Sequence, residues 1–459
     1  MNVPPINAEP GLDPAGIFDA INFDGLKSVI VAVSGGSDSL ALLYLLLALR
    51  GSRQSFPELI AVTIDHGLRP ESAEEARHVS GLCKEAGIPH RTLNWTGAKP
   101  DTGISAKARD VRYRLLCDAA RDAGTDMILT GHTLDDQIET FVMRSARGRE
   151  GGSERGLAAM APATLLVREI WLVRPLLGIS RETLREYLRG RDVAWCDDPS
   201  NENPKYERVQ VRKALRDDDR EQIQVEIGEK IAKRRALNAK TAQVFRHCVT
   251  VDHGICATIS MANWVEQEAD VQRLAIGVLL ATIGGQAFLP PADICDKALQ
   301  HLSSSVPPRR MTIARCILEL KKGKALIYRE MRSMPEMTVE PSETVIWDGR
   351  YRISNCSDKS LKIVACGAKG LHFLRESGLP NPHGASVQSS PALILDGRIV
   401  HVRALNDHAK LPNGISVSRH LALFDHILSG YDELLAQSAA ELFQLHGYKH
   451  PPVNQINKN

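Results

Sequence analysis

The chain has 459 residues, more than a single hydrophobic core accommodates, so two or three domains are expected. Apolar residues make up 43% and charged residues 24%, which excludes a disordered or fibrous chain and fits a soluble globular one. The net charge of +2 excludes a protein that is basic throughout, so any surface for nucleic acid has to be local. Nine cysteines are scattered along the chain with no CxxC pair, which removes support for zinc ribbons, iron–sulfur ligation and thioredoxin-like chemistry. The proline-bearing start (Pro4, Pro5, Pro10, Pro14) has no basic-then-apolar signal pattern. Leu40 to Leu49 is too short to span a bilayer, and a reducing cytoplasm is the expected home.

In chain order, residues 1–25 read as a leader with a first helix. Val29 to Val33 is a short, β-branched apolar run and predicts a buried strand; the Leu-rich run Leu40 to Leu49 predicts a buried helix. Between them lies Ser34-Gly35-Gly36-Ser37-Asp38-Ser39. Leu59 to Ile64 and Met127 to Thr130 predict further strands, with helices around 71–86 and 106–123. This alternation predicts an α/β fold with a doubly wound parallel sheet over residues 26–204. Ligands in such sheets bind at the carboxyl ends of the strands. All three strands end in chemically distinctive loops: Ser34 to Ser39, Asp65-His66-Gly67-Leu68-Arg69, and Gly131-His132 onward.

Residues 205–336 read as a mainly helical middle domain. It is helical to about Leu302, broken at Pro307-Pro308, and ends in a hairpin over Met311 to Glu330 that turns at Lys321-Lys322-Gly323-Lys324. Residues 337–448 form a small α+β or β-rich C-terminal domain, with turns at Asp348-Gly349 and Asp396-Gly397. The tail, 449–459, reads as disordered.

A Gly-Gly turn with three hydroxyls at a helix N-terminus offers backbone N–H groups and a helix dipole to an anion. No GK[ST] follows, so it is not a Walker A loop. In Gly131-His132-Thr133-Leu134-Asp135-Asp136-Gln137-Ile138-Glu139-Thr140, a helix beginning near Thr133 puts Asp135 and Glu139 on one face and brings Asp136 close to Glu139. Acidic groups at a helix start are often only complements to its dipole. The sharper expectation is that they hold Mg²⁺ on a nucleotide and bind a cationic group. Arg109 and Arg112 stand three apart on a predicted helix. They can steady a transferring phosphoryl group or grip RNA phosphate; without the neighbouring motifs they would read as a solvated face.

The SGGxDS pattern resembles the pyrophosphate loop of the N-type ATP pyrophosphatases, the PP-loop superfamily with its adenine nucleotide alpha hydrolase-like fold. SGGSDS, DHGLR, ARDVRY, GHTLDDQIET, Arg174-Pro175-Leu176 and DDPSN together resemble the bacterial tRNA(Ile)-lysidine synthetase family. The likeness covers about Val29 to Arg216, and continues more weakly through Leu326 to Glu330 and Trp347-Asp348-Gly349-Arg350. It implies that ATP adenylates C2–O of the wobble cytidine of a CAU-anticodon isoleucine tRNA. The ε-amine of free L-lysine then displaces AMP.

By this resemblance Ser34, Gly35, Gly36, Ser37, Asp38 and Ser39 bind ATP. Asp38 and Asp136 serve Mg²⁺ and adenylation, and Glu139 with Asp135 holds lysine. Arg112 and His132 line the same catalytic cleft. Arg147, Arg174, Arg208, Arg212 and Lys213 are expected to meet tRNA, within basic groups that also include Arg144, Arg149, Arg155, Lys205, Arg216, Lys230, Lys233, Arg234 and Arg235. The resemblance is compatible with a homodimer.

The chain departs from the family pattern at Thr133, where a second histidine is common, and at Val209, where asparagine is common. Lys369-Gly370-Leu371-His372 stands where a basic acceptor-stem motif is usual. Among rivals, a tRNA thiolase needs positioned cysteines, often CxxC. A glutamine-dependent amidotransferase needs a glutaminase domain, and a non-catalytic RNA-binding paralogue has no use for Asp38, Asp136 and Glu139.

Overall fold

The computed structural model describes residues 12–67, 71–97, 99–100, 102–148, 154–197, 207–304, 309–377, 384–403 and 411–454. The chain divides into two compact units. The first comprises residues 1–234, 429–431 and 449–459; the second comprises 235–428 and 432–448.

In the first unit the elements run α1 (Pro14–Phe18), β1 (Ser28–Ala32), α2 (Ser37–Ser52), β2 (Glu58–Asp65), α3 (Ser72–Glu85) and β3 (His90–Asn94). They continue with α4 (Ile104–Asp122), β4 (Met127–Thr130), α5 (Leu134–Gly148), β5 (Ala163–Leu166), β6 (Ile170–Val173), α6 (Arg181–Arg189) and α7 (Glu207–Ala214). Helix α8 (Asp217–Cys248) crosses the unit boundary.

Among these strands, six of a seven-stranded sheet, the order is β5-β6-β4-β1-β2-β3. The pairs β3–β2, β2–β1, β1–β4 and β4–β6 are parallel, and β5–β6 is antiparallel. The chain winds outward from β1 through β2 to β3, then returns to the other side of β1 through β4. The carboxyl ends of β1 and β4 therefore flank the switch point where such sheets bind ligands. Strand β1 is buried along Ser28 to Val31, as a central parallel strand covered on both faces must be. One face packs Ile30, Val62, Ile128 and Leu172 against Leu116 and Ala120 of α4. Helix α2 is apolar nearly all round and buried from Leu40 to Leu43, which explains its leucine run. Helix α6 packs against α2.

The expected disorder of the tail does not hold at its start. Ile21 bridges Val453, the Asn22 N–H donates to Pro452 O at 2.9 Å, and the Asn454 N–H donates to Ala20 O at 2.8 Å. Lys449 Nζ meets Asp126 Oδ2 at 2.9 Å. Residues 452–454 form a short ladder against residues 20–22, the segment after α1, a pairing that depends on chain return and leaves no local signal.

In the second unit the segment expected to be helical also contains strands β7 (Val249–Asp252) and β8 (Cys256–Ser260). They are followed by α9 (Met261–Trp264), α10 (Ala269–Gly284) and α11 (Ala292–Ser303). The expected hairpin forms from β10 (Cys316–Lys321) and β11 (Lys324–Arg329), with Lys322 and Gly323 both at positive φ as a two-residue turn requires. It is the middle of a five-stranded antiparallel sheet, β7-β8-β11-β10-β9, where β9 is Arg310–Ile313. Short strands such as β7 were invisible because four residues carry too little pattern.

Four- and three-stranded antiparallel sheets follow within residues 337–419, β-rich as expected. Among them Asp348, completely buried at its carboxylate, meets Arg329 Nε at 3.2 Å, Arg350 Nε at 2.6 Å and the Arg315 guanidinium. Arg329 and Arg350 are each 1% exposed.

Candidate active site

The loop after β1 is shaped by its own hydroxyls. The Ser34 N–H donates to Ser39 Oγ at 3.0 Å, and Ser39 Oγ donates to Gly36 O at 3.0 Å. Ser37 Oγ donates to Asp38 Oδ1 at 3.0 Å. Gly35 has φ +88°, a conformation that side-chain-bearing residues avoid, and its carbonyl accepts from Cys196 N at 2.9 Å. No side chain caps α2, whose N-cap is Gly36, so the first N–H groups of the helix are free of a side-chain cap.

Opposite it, Gly131 follows β4 with backbone pressed against Asp38: a Cβ there would lie 2.7 Å from Asp38 O. That contact brings the start of α5 to the start of α2. Asp136, at the third position of α5, reaches back and accepts from Thr133 N at 2.9 Å and Thr133 Oγ1 at 3.1 Å, a capping arrangement. Thr133 is fully buried and holds Asp136, which is a use for threonine where the family often has histidine.

Four carboxylates and four guanidiniums meet here. Arg181 Nε lies 2.9 Å from Asp38 Oδ2, and its other nitrogens lie 3.8 Å from Asp136 Oδ1 and 3.9 Å from Glu139 Oε1. Arg208 approaches Asp136 Oδ1 at 3.7 Å, Arg212 Nε donates to Glu139 Oε1 at 2.8 Å, and Arg220 donates to Asp135 Oδ1 at 2.9 Å. The Arg181 N–H donates to Asp135 Oδ2 at 2.7 Å. The carboxylates surrounding it raise the Arg181 pKa despite its burial, so this guanidinium stays charged. Burial pushes Asp135 up, but the Arg181 N–H and the Arg220 guanidinium outweigh it and hold its pKa below the usual range. Glu139 is 2% exposed, and its Oε2 is buried with no hydrogen-bond partner.

His132 and Arg112 stand at the same strand ends. His132 Nδ1 lies 3.0 Å from Thr130 Oγ1. Burial and the charge of Arg174 bring its pKa down to about 3, with Arg109 and Arg112 adding to them and Asp136 opposing, so the ring is neutral. Arg112 lies 3.1 Å from His66 Nε2, and its own pKa is lowered by burial. Burial and Arg112 lower His66 to about 4, which leaves Nε2 as the acceptor of the Arg112 N–H.

The structure therefore brings together Asp38, Asp135, Asp136, Glu139 and the loop Ser34 to Ser39, and redistributes some expected roles. Asp135, expected beside lysine, spends both oxygens tying α6 and α8 to α5. Arg174, expected to meet tRNA, is 4% exposed and donates to Ala161 O and Thr164 Oγ1 at 2.8 and 2.9 Å, so no RNA phosphate reaches it. Arg208 and Arg212 turn to the site's carboxylates. Arg147, paired with Glu207, and Lys213 are exposed. Leu68, Arg69, Arg149, Asp198 to Asn201 and Lys205 lie outside the described residues.

Sequence reasoning missed Arg181 and Arg220. The signal for Arg181 was its place directly after the N-cap Ser180, where a helix dipole disfavours a cation and an acidic partner is needed to hold it.

The PP-loop domain family matches residues 16–218. A tRNA(Ile)-lysidine synthase of Brucella melitensis is 41% identical over 437 residues, 93% of this chain and 97% of its own length. The chain belongs to the tRNA(Ile)-lysidine synthase family. The counterpart in Brucella ovis is likewise 41% identical over the same coverage. Among solved structures, a U34-tRNA thiolase of Methanococcus maripaludis is 19% identical over 44% of this chain and 70% of its own, with a TM-score of 0.36. The loop Ser34 to Ser39, the acidic start of α5 and the arginines of α7 are far apart in sequence and adjacent at one switch point. No helix among the described residues is long and apolar enough to cross a membrane.

Proposed function

We propose that this chain ligates L-lysine to C2 of the wobble cytidine of the CAU anticodon of tRNA(Ile), using ATP, and so changes the codon read from AUG to AUA and the amino-acid identity from methionine to isoleucine. In the first step cytidine O2 attacks the α-phosphorus and pyrophosphate leaves. In the second the lysine ε-amine bonds to C2, the C2–O bond breaks, AMP leaves and the amine gives up a proton. Cytidine O2 is a poor leaving group, and adenylation makes it a good one.

The observation that carries this reading is Glu139, buried in the core of the cleft with one oxygen on Arg212 and the other unpaired. An unpaired buried carboxylate oxygen is costly and fits a site awaiting a cationic substrate group. Beside it, the loop Ser34 to Ser39 at the start of α2 suits the triphosphate. Asp38 and Asp136 reach one and the same guanidinium, so a single cation can contact both. That donor set fits Mg²⁺, which takes one or two carboxylates and leaves its other positions to phosphate and water. Bound there, Mg²⁺ would supply charge neutralisation of the triphosphate. The neutral His132 and the partly desolvated Arg112 suit contact with the cytidine and its developing charge. Exposed Arg147 and Lys213 are the candidates for RNA phosphate. A tRNA substrate and nine cysteines with no disulfide fit the reducing cytoplasm.

The test is transfer of labelled lysine to a CAU-anticodon isoleucine tRNA transcript with ATP and Mg²⁺, against elongator methionine tRNA. Label in the isoleucine tRNA alone, with AMP and pyrophosphate released, is expected. AMP formation with no label incorporated would keep the adenylating chemistry and overturn lysine as the nucleophile.

A further inference from the structure

Among the described residues the four carboxylates at the switch point are matched by four guanidiniums, which leaves no surplus negative charge among these groups for an incoming ammonium group. Among them Arg181 alone spans three carboxylates, from Asp38 in the nucleotide loop through Asp136 to Glu139 in the lysine pocket. Its side chain is 18% exposed, and its backbone is pinned by Asp135, so any movement belongs to its side-chain torsions. One turn further along α6, Arg185 approaches Ser37 Oγ at 3.4 Å, which shows that this face of the helix is turned towards the nucleotide loop. The unpaired Oε2 of Glu139 lies at the other end of the same array.

We propose that Arg181 couples the two substrate sites: with the nucleotide site empty it neutralises the carboxylates, and an arriving triphosphate draws its guanidinium from Glu139 and Asp136, leaving Glu139 able to take the lysine ammonium. This rests on the lysine-ligating reading above. A guanidinium forks as readily onto phosphate as onto carboxylate, and the nucleotide loop already lies within its reach at Asp38. Withdrawing the guanidinium from Glu139 leaves that carboxylate with Arg212 alone and its Oε2 unpaired, which suits an ammonium group, while Asp38 and Asp136 pass to the Mg²⁺ that accompanies the triphosphate. Lysine affinity then depends on nucleotide occupancy, and nucleotide affinity depends on lysine by the same factor. Arg181 acts here as a positioning residue, since its effect on lysine passes through Glu139.

The experiment is equilibrium dialysis of labelled L-lysine against the full chain, with CAU-anticodon tRNA transcript and Mg²⁺ in every cell. It is run with and without the non-cleavable α,β-methylene analogue of ATP. The expected wild-type result is a Kd for lysine about 10-fold lower with the analogue present. In R181M lysine binds without nucleotide as tightly as it binds wild type with it, and the effect of the analogue drops to less than about 2-fold. R181K, which keeps the charge, retains the coupling. If R181M does not fold by circular dichroism, R181Q carries the same expectation. Equal lysine affinity with and without analogue in wild type, or undiminished coupling in R181M, overturns the proposal while leaving lysine as substrate. No lysine binding in any cell overturns the lysine reading and the coupling with it.

Discussion

Gly131 and Asp38 touch through their backbones: a single added methyl group on Gly131 would sit 2.7 Å from the Asp38 carbonyl oxygen and 3.0 Å from Ser39 Cα. These neighbours are backbone at the start of a buried helix and cannot swing aside. The contact fixes the distance between the loop Ser34 to Ser39 and the acidic start of α5. G131A is expected to cost about 1–3 kcal/mol of stability, as overpacking does. Lysidine formation should fall by about 100-fold, because displacement of reacting groups by about 1 Å is enough to do so. Urea unfolding and single-turnover modification measure the two effects. Wild-type turnover in a folded G131A would show that the two loops need not be in register.

Removing the charge from Glu139 separates the two chemical steps. E139Q keeps the shape of the side chain and leaves Arg212 with a neutral partner. Lysine transfer is expected to drop by at least about 100-fold while tRNA-dependent release of pyrophosphate from ATP continues, in keeping with an interaction made to the second substrate. Equal loss of both steps would move Glu139 to adenylation.

His132 and His66 make the first unit sensitive to acid. Both are neutral in the folded chain, with pKa values near 3 and 4, whereas in the unfolded chain they titrate near about 6.5. Between those limits the unfolded chain binds protons that the folded chain refuses, so stability falls as pH falls below about 6.5 and is unaffected above it. In H132N the loss between about pH 6.5 and 4 should be shallower than in wild type by no more than about 1.4 kcal/mol per pH unit. Urea unfolding across that range reads the slope, and parallel profiles would show that His132 is charged in the fold.

Asp348 is the single carboxylate on which Arg315, Arg329 and Arg350 converge. D348N is expected to destabilise the second unit by about 3–5 kcal/mol, because it leaves buried guanidiniums without their counter-charge. Calorimetry should show a lowered transition. An unchanged profile would mean that backbone carbonyls alone satisfy Arg329 and Arg350.

Arg147 and Lys213 are exposed, and the contact proposed for them with RNA phosphate is electrostatic. Replacing both by alanine is expected to weaken tRNA binding and flatten its dependence on salt by a slope of about 1 to 2. An unaltered salt slope would place the phosphate path elsewhere.

Much of the nucleotide-binding unit was legible because its signals are local. Strand, loop and helix succeed one another from Val29 to Leu49, and the spacing of Asp135, Asp136 and Glu139 fixes their shared face once a helix is assumed. The arginines were legible as residues but not as partners. Arg181 meets Asp38 across 143 positions and Arg220 meets Asp135 across 85, separations over which no periodicity reports contact. The same limit hid the burial of Arg174, since a guanidinium bonded to a buried carbonyl and a buried hydroxyl looks in sequence like any surface arginine. In the second unit, strands of four and five residues such as β7 and β8 gave too little alternation to separate them from the helices beside them.

The ladder between residues 20–22 and 452–454 has a temporal consequence for a chain made from its amino end. Every residue of the nucleotide loop, the acidic helix start and the arginine set leaves the ribosome before residue 235, yet the edge beside α1 stays open while residues 235–428 are synthesised. The carboxylates and arginines of the candidate site are thus present early on a scaffold that is closed late. A nascent chain stalled before residue 449 would hold every side chain of the candidate site without the brace beside α1.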